Sequence, residues 1–583
     1  MVSIPAGGTI RLVPLMRDSL MASHFMFSTH YRPWLPPLLL FLGPLALYFP
    51  SLGNYFVAWD DNILVYANPL VRNFSPYAVW AVFTSYDPEL YIPLTFLTYQ
   101  IEHLIFGLNA TVFHTTNLLL HCGISVMIFF LLRRWKIAKP AAFILALLFA
   151  IHPLNSEAVA WVSARKDVLS SFFFLATLLE WERYREDQTQ RKYWIAALFF
   201  LLALLSKVSI VLLPLILLLI DWRDNRTLDR RMMTEKIPFF ALAGVFIVIA
   251  LLGKTGNISA LSLWQTVLMS SKAIGVSVLH FFFPFQISLI YQQSTPITLA
   301  SPEFFLPVLF VLFVLFVTAA SLKKTRSVAF AGCFTLIMLL PSFANFSKAG
   351  SLYFTTDRYM YMAQLGLLFL LGWGWMRIVE LQRARAVWLS VIAILCVAIP
   401  SFAFATYNRS LLWIDSETLF RDALLKNPQS AIIRFNLGYF EQTRGNIEEA
   451  RSFYAQAREV NPNYSPAFNN EGLILWERGE RTEAESWFTQ AAEIDPHNLS
   501  AVINLAMAKM ERGEVDEAIA LLTRALEEDP YNVPALIKLG TAYGKKEMYR
   551  EGLAAFQKAW RLDPVMREKS KELERMLLEL DKS

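Results

Sequence analysis

The sequence predicts an all-α protein in two parts, a polytopic membrane helix bundle followed by a superhelix of short helical repeats. Three observations predict it. The chain is 55% hydrophobic and only 17% charged over 583 residues, against about 45–50% apolar and about 25% charged for soluble domains. The apolar excess is confined: long apolar runs follow one another from Trp34 to Tyr407, and the chain is polar and periodic from Asp415 onward. Finally, Pro428, Pro462, Pro496, Pro530 and Pro564 recur at a 34-residue period, a spacing typical of stacked helix pairs.

Residues 1–34 read as a cytoplasmic N-terminal segment. No small-residue cleavage site follows the apolar run Leu35 to Pro50, so that run is expected to be a retained first helix. A spanning helix needs about 17–25 apolar residues. Candidates lie near 35–51, 112–132, 139–161, 166–182, 191–206, 208–222, 237–253, 303–322, 327–345, 359–376 and 387–407, about eleven spans in a membrane part covering 35–410. Five intervening loops are basic: Arg133 to Lys136, Arg183 to Lys192, Arg223 to Lys236, Lys323 to Arg326 and Arg377 to Arg385. The positive-inside rule puts those loops in the cytoplasm, and the loop 52–91 and the tail on the other side. Lys207 interrupts the run Tyr193 to Asp221, which is therefore read as two short helices. Leu261 to Tyr291, with Lys272, His280 and Pro284, and Tyr91 to Leu108 are expected to be re-entrant or surface helices.

The tail divides into a half repeat or linker, 411–430, four tetratricopeptide repeats, 431–566, and a capping helix, 567–583. Gly438, Gly472 and Gly540, with Ala506, hold the small position of each first helix. Ala450, Ala484 and Ala518, with Gly552, hold that of each second helix. Small residues there let paired helices approach closely.

The charge pattern excludes nucleic acid as a partner: the basic excess lies in short membrane loops, and no basic stripe with interleaved aromatics occurs. Cys122, Cys333 and Cys396 sit apart inside apolar runs, so they show neither metal spacing nor a disulfide framework.

Polar residues inside the apolar part are costly and become functional candidates. The first is Trp59-Asp60-Asp61-Asn62, after the first helix: carboxylates there can take a proton from a hydroxyl or hold a divalent ion that grips a phosphate. His114, Asn117 and His121 share a helix face. His152 to Glu157, Trp161 and Arg165-Lys166-Asp167 form a denser group, with Glu157, Trp161 and Arg165 expected on one face. Asp357-Arg358-Tyr359 opens another helix on the same side.

These pieces, with Tyr91-Ile-Pro-Leu-Thr95, Phe113-His114 to His121, Ser206-Lys207 and the repeats, resemble the transmembrane and tetratricopeptide-repeat O-mannosyltransferases, members of the type C glycosyltransferases. The resemblance covers nearly the whole chain from Leu35. Ile92 stands where many members have Arg, and the array is short, as in bacterial relatives. It implies transfer of mannose or another hexose from a polyprenyl-phosphate donor to Ser or Thr hydroxyls of an acceptor protein. Asp60 or Asp61 would be the base, with Mg or Mn as an optional divalent cation. Arg165, Lys166 and Arg358 would contact the donor phosphate. His114, His121, His152, Glu157 and Asp357 would line the pocket. Asn436, Tyr439, Asn470, Asn504 and Lys538, on first helices of the repeats, would hold the acceptor. The expected setting is a bacterial inner membrane, in contact with membrane lipids, with the repeats periplasmic. Two other classes compete: a non-enzymatic membrane-anchored scaffold, and a lipid-linked polysaccharide ligase or polymerase. Glycan lost from a protein, rather than from lipid or polymer, separates them.

Overall fold

The computed structural model describes residues 32–86, 90–227, 229–253, 261–344, 346–348, 351–380, 384–569, 575–576 and 579. Most of the expected N-terminal segment and most of the expected capping helix lie outside the described residues; the helix Pro564–Lys569 runs from the end of the fourth repeat into the start of the latter.

All eleven apolar runs are helical. Among the described residues, six helices are long and apolar enough to cross a membrane alone: Leu35–Gly53, Ala110–Arg134, Arg230–Leu252, Pro302–Ser321, Asp357–Glu380 and Leu389–Leu411. A pair bent by 50°, Lys139–Ala150 and Pro153–Ala160, adds a seventh if counted as one span. The protein is thus a multi-pass membrane protein. Lys207 does break its run: Gln190–Ser206 ends at an extended Lys207, and a 3-10 turn leads into Leu213–Arg223. The two expected surface segments are the helices Pro93–Phe106 and Leu263–Phe282. A small antiparallel sheet interrupts the all-α plan, with Ser351–Thr355 between Tyr291–Gln293 and Ser347–Lys348.

The repeats are four helix pairs: Ala431–Thr443 with Ile447–Val460, Ser465–Glu477 with Arg481–Ile494, Leu499–Glu511 with Val515–Glu528, and Val533–Lys545 with Tyr549–Leu562. The half repeat is the helix Ser416–Lys426. Contact distance explains the small positions: a Cβ on Gly438, Gly472 or Gly540 would lie 2.7–2.8 Å from the ring of Tyr454, Phe488 or Phe556 on the paired helix. The turn inside each of the first three pairs takes a left-handed glycine, Gly445, Gly479 or Gly513, whereas the fourth puts Glu547 there at φ 60°.

Both ends of this array rest on the membrane part. At the start, Trp413, Leu419, Phe420 and Ile433 share one apolar cluster with Val57, Trp161, Leu289 and Ile290. At the far end, Val533, Leu536, Ala559 and Leu562 share another with Leu64, Val65, Leu70, Val71 and Val82 of the loop 52–91. Each fully buried aliphatic side chain in such a joint contributes about 1.5–3 kcal/mol.

Candidate functional site

The diacid loop grows out of the first helix. Leu35–Tyr48 tightens into the 3-10 turn Phe49–Gly53. A single π-helical turn, Asn62–Tyr66, follows the two aspartates. Its first amides, from Ile63 and Leu64, donate to the Asp60 carbonyl at 3.1 and 2.8 Å.

The two carboxylates part company. Asp61 is fully buried. Its Oδ2 accepts from Val57 N at 3.0 Å, and its Oδ1 accepts from Ser163 N at 2.9 Å and Ser163 Oγ at 2.5 Å. Burial pushes this carboxyl up to about 6, even though the Ser163 and Val57 donors favour its charged form. Asp61 therefore ties the loop to the segment 161–164. Asp60 is the partly exposed member.

A like division separates Arg165 from Lys166. Arg165 has no exposed side-chain surface. Its guanidinium donates to Asn117 Oδ1, to Thr98 Oγ1 at 3.2 Å, to both Glu102 oxygens at 2.9 and 3.2 Å, and to Phe113 O at 2.8 Å. Every N–H is spent, so the expected phosphate contact is corrected: Arg165 joins three helices. The expected common face also fails. The helix stops at Ala160, Trp161 is extended at φ −91° and ψ 123°, and Arg165 opens a new helix pointed elsewhere. Lys166 is only 4% exposed, and its Nζ finds no hydrogen-bond partner in the protein. It stands 5.0 Å from the centre of the Trp161 ring, within electrostatic reach of Asp60 and Asp167.

Trp161 is the platform of the site. Arg358 Cζ lies 5.2 Å from its ring centre, and Trp413 stacks on it at 5.7 Å. Arg358 pairs with Glu157, and Lys207 bonds Asp167 at 2.5 Å. The structure thus gathers Lys166 and the Arg358–Glu157 pair on one tryptophan, with Asp60 in electrostatic reach of Lys166. The sequence reading gave no role to Ser163, Trp413 or the Lys207–Asp167 pair. Lys207 was detectable as the break in an apolar run, whereas the other contacts left no local trace.

The remaining pocket candidates brace instead. His121 Nε2–H donates to Ala150 O at 3.0 Å, so its Nδ1 accepts from Tyr361 Oη at 2.7 Å. His152 donates to Phe281 O at 2.9 Å and accepts from Leu154 N at 3.2 Å. His114 is buried against the backbone near Asn54, Tyr55 and Ala160. Asp357 accepts from Tyr291 Oη at 2.7 Å and faces Arg409 at 3.8 Å.

The diacid does not fit a divalent metal. Both Asp61 oxygens already accept protein donors, an ammonium stands near Asp60, and no group of three or more His, Cys, Asp or Glu converges among the described residues.

Asn436, Asn470, Asn504 and Lys538 hold the same position in successive repeats. Asn504 donates to Asn469 at 2.9 Å, Asn469 to Asn470 at 3.1 Å, and Asn470 to Tyr454 Oη at 3.0 Å. Asn436 donates back to Ile432 O in its own helix, and Lys538 reaches Met507 Sδ at 3.4 Å. Tyr439 lies near Tyr66 of the diacid loop, whose hydroxyl burial pushes up to about 12.

The family described as dolichyl-phosphate-mannose-protein mannosyltransferase matches residues 88–252, and tetratricopeptide-repeat families match 415–467, 441–498 and 475–532. Human protein O-mannosyl-transferase TMTC1 is 24% identical over 73% of this chain and 55% of its own length. Mouse protein O-mannosyl-transferase TMTC3 is 25% identical over 66% and 45%, and human TMTC4 is 36% identical over 19% and 18%. The chain spans about half the length of the first two relatives. Membrane helices, the mannosyltransferase match and the repeats follow one another along the chain, and in this it is similar to the transmembrane and tetratricopeptide-repeat proteins that include these O-mannosyl-transferases.

Proposed function

We propose that the protein is an integral-membrane glycosyltransferase that moves mannose or another hexose from a polyprenyl-phosphate donor to a Ser or Thr hydroxyl of a protein, on the non-cytoplasmic side of a bacterial inner membrane. The observation that carries the reading is the pairing of a partly exposed carboxylate, Asp60, with an ammonium, Lys166, that is buried and has no hydrogen-bond partner. A buried ammonium with no hydrogen-bond acceptor is costly, and the oxygens of a donor phosphate supply the acceptors.

In this reading Asp60 takes the hydroxyl proton as the oxygen attacks the anomeric carbon. The bond from that carbon to the phosphate oxygen breaks, and the polyprenyl phosphate leaves with the electron pair. Lys166 and Arg358 stabilise the departing charge, and Trp161 fixes both cations. The repeats hold the acceptor, with Tyr439, Asn470, Asn504 and Lys538 turned to its backbone. Asn436 is the weakest of that set, since its amide is committed to its own helix.

Comparative glycoproteomics of parent and deletion strains tests the reading, followed by incubation of the purified protein with polyprenyl phosphomannose and any peptide found. Loss of a hexose from Ser or Thr of defined proteins is expected. An unchanged glycoproteome with altered lipid-linked glycan would replace it with the polysaccharide ligase.

A further inference from the structure

Two asparagines flank Asp60 along the chain: Asn54 caps the membrane helix that leads into the repeat array, and Asn73 caps the array's last paired helix. The last turn of a helix leaves carbonyls without intrahelical partners. Asn54 Nδ2 donates to Ser410 O at 3.2 Å, in the last turn of the helix Ala384–Leu411 that leads into the repeats. Asn73 Nδ2 donates to Arg561 O and Leu562 O, both at 2.9 Å, in the last turn of the fourth repeat. Both side chains are buried. Neighbouring contacts follow the same pattern. Tyr55 N donates to Ile414 O at 2.9 Å and Ala58 N to Ser416 Oγ at 2.8 Å. At the other end Arg72 faces Asp563 at 3.8 Å, and Thr84 meets Tyr531 Oη at 3.2 Å.

We propose that Asn54 and Asn73 are positioning residues: they hang the loop that carries Asp60 between the end of the last membrane helix and the far end of the repeat array, which makes the array a fixed wall of the site as well as an acceptor holder. Asp61 pins the middle of the same loop to Ser163, so three ties hold about twenty residues, and the one at Asn73 is to the array. The inference rests on the reading of Asp60 as the base.

The sharpest variant is Asn73→Asp in the full-length protein in nanodiscs. It keeps the oxygen that accepts from Ser75 N at 3.0 Å, loses the two donor bonds, and sets a carboxylate against the negative end of a helix. Hydrogen exchange in 57–66 should speed up by about tenfold while the membrane helices and repeats keep their protection. The kcat for transfer from polyprenyl phosphomannose should fall by about tenfold with the donor KM unchanged. Asn54→Ala should do the same from the other side. Unchanged loop exchange, or exchange raised across the whole array, would overturn the proposal. Asp60→Asn separates the two readings: it should abolish transfer and leave loop exchange as in the parent. If Asp60→Asn stays active, the base assignment falls, and loop exchange in Asn73→Asp still decides whether the ties exist.

Discussion

The helix Arg165–Asp187 carries charged clusters at both ends, about 34 Å apart at 1.5 Å per residue, and the two clusters differ in kind. At the Asp187 end, among the basic loops, Asp221 is fully buried and faces Arg185 at 3.0 Å, Arg226 at 3.5 Å and Lys236. Arg185 also holds Glu182 and Asp224, both at 2.8 Å, and Glu235 takes Arg226 at 2.8 Å. Each charge there has an opposite charge in reach, and together they join the ends of several helices. At the Arg165 end the matching is incomplete: Lys166 has carboxylates nearby and no hydrogen bond to any of them. A closed ionic network is structural. An open one leaves room for a charged ligand.

Breaking the closed network should cost most. Asp221→Asn leaves three cations around a neutral amide and should lower stability by about 3–5 kcal/mol, seen as a fall in thermal midpoint, with activity per folded molecule retained. A large activity loss in the folded fraction would erase the contrast between the ends.

The open cluster should respond the other way. Asp60→Asn and Lys166→Met should each lower transfer by about 10²-fold and leave the thermal midpoint level. If both melt early and turn over normally, this end is structural too.

A pH series sharpens the division within the diacid. Asp61 is ionised above about 6 and takes up a proton as pH falls through that value. The neutral acid then brings a donor to a place where Val57 and Ser163 already donate, so the loop slackens. Activity should fall several-fold below pH 6, and Ser163→Ala, which removes a bond favouring the carboxylate, should move that fall to higher pH. A profile unmoved by Ser163→Ala would assign the titration to another group.

The smallest effect lies in the repeats. Glu547 occupies the left-handed turn position that glycine fills in the other three pairs. Glu547→Gly should raise stability by about 0.5–1 kcal/mol, measurable by denaturant titration. No gain would mean that the entropy of the added glycine offsets the relieved strain.

The fold was legible because both of its periods are local. Long apolar runs mark membrane helices, and a 34-residue spacing needs no knowledge of distant contacts. The site was legible only to the level of pairs. Asp60-Asp61 and Arg165-Lys166 were found as neighbours, yet adjacent residues on a turn or helix point in different directions, and which one turns inward depends on Ser163, Glu102 and Asn117, far away in sequence. The Asn73 tie to Arg561 left no trace at either end. Asn73 reads as an ordinary turn residue before Ser75, or as a glycosylation triplet, and only the folded chain shows its amide bonded in a buried joint.

That tie has a consequence for how the protein is made. Asn73 and Arg561 are 488 residues apart, and a ribosome adds about 5–20 residues per second. For about 25 to 100 seconds after the diacid loop leaves the ribosome, its second anchor has not been synthesised. Until Ser410 follows, 356 residues after Asn54, the early chain carries its carboxylates on a loop held at neither outer end. A chain cut short before the last helix pair leaves the Asn73 amide without the two carbonyls that hold it.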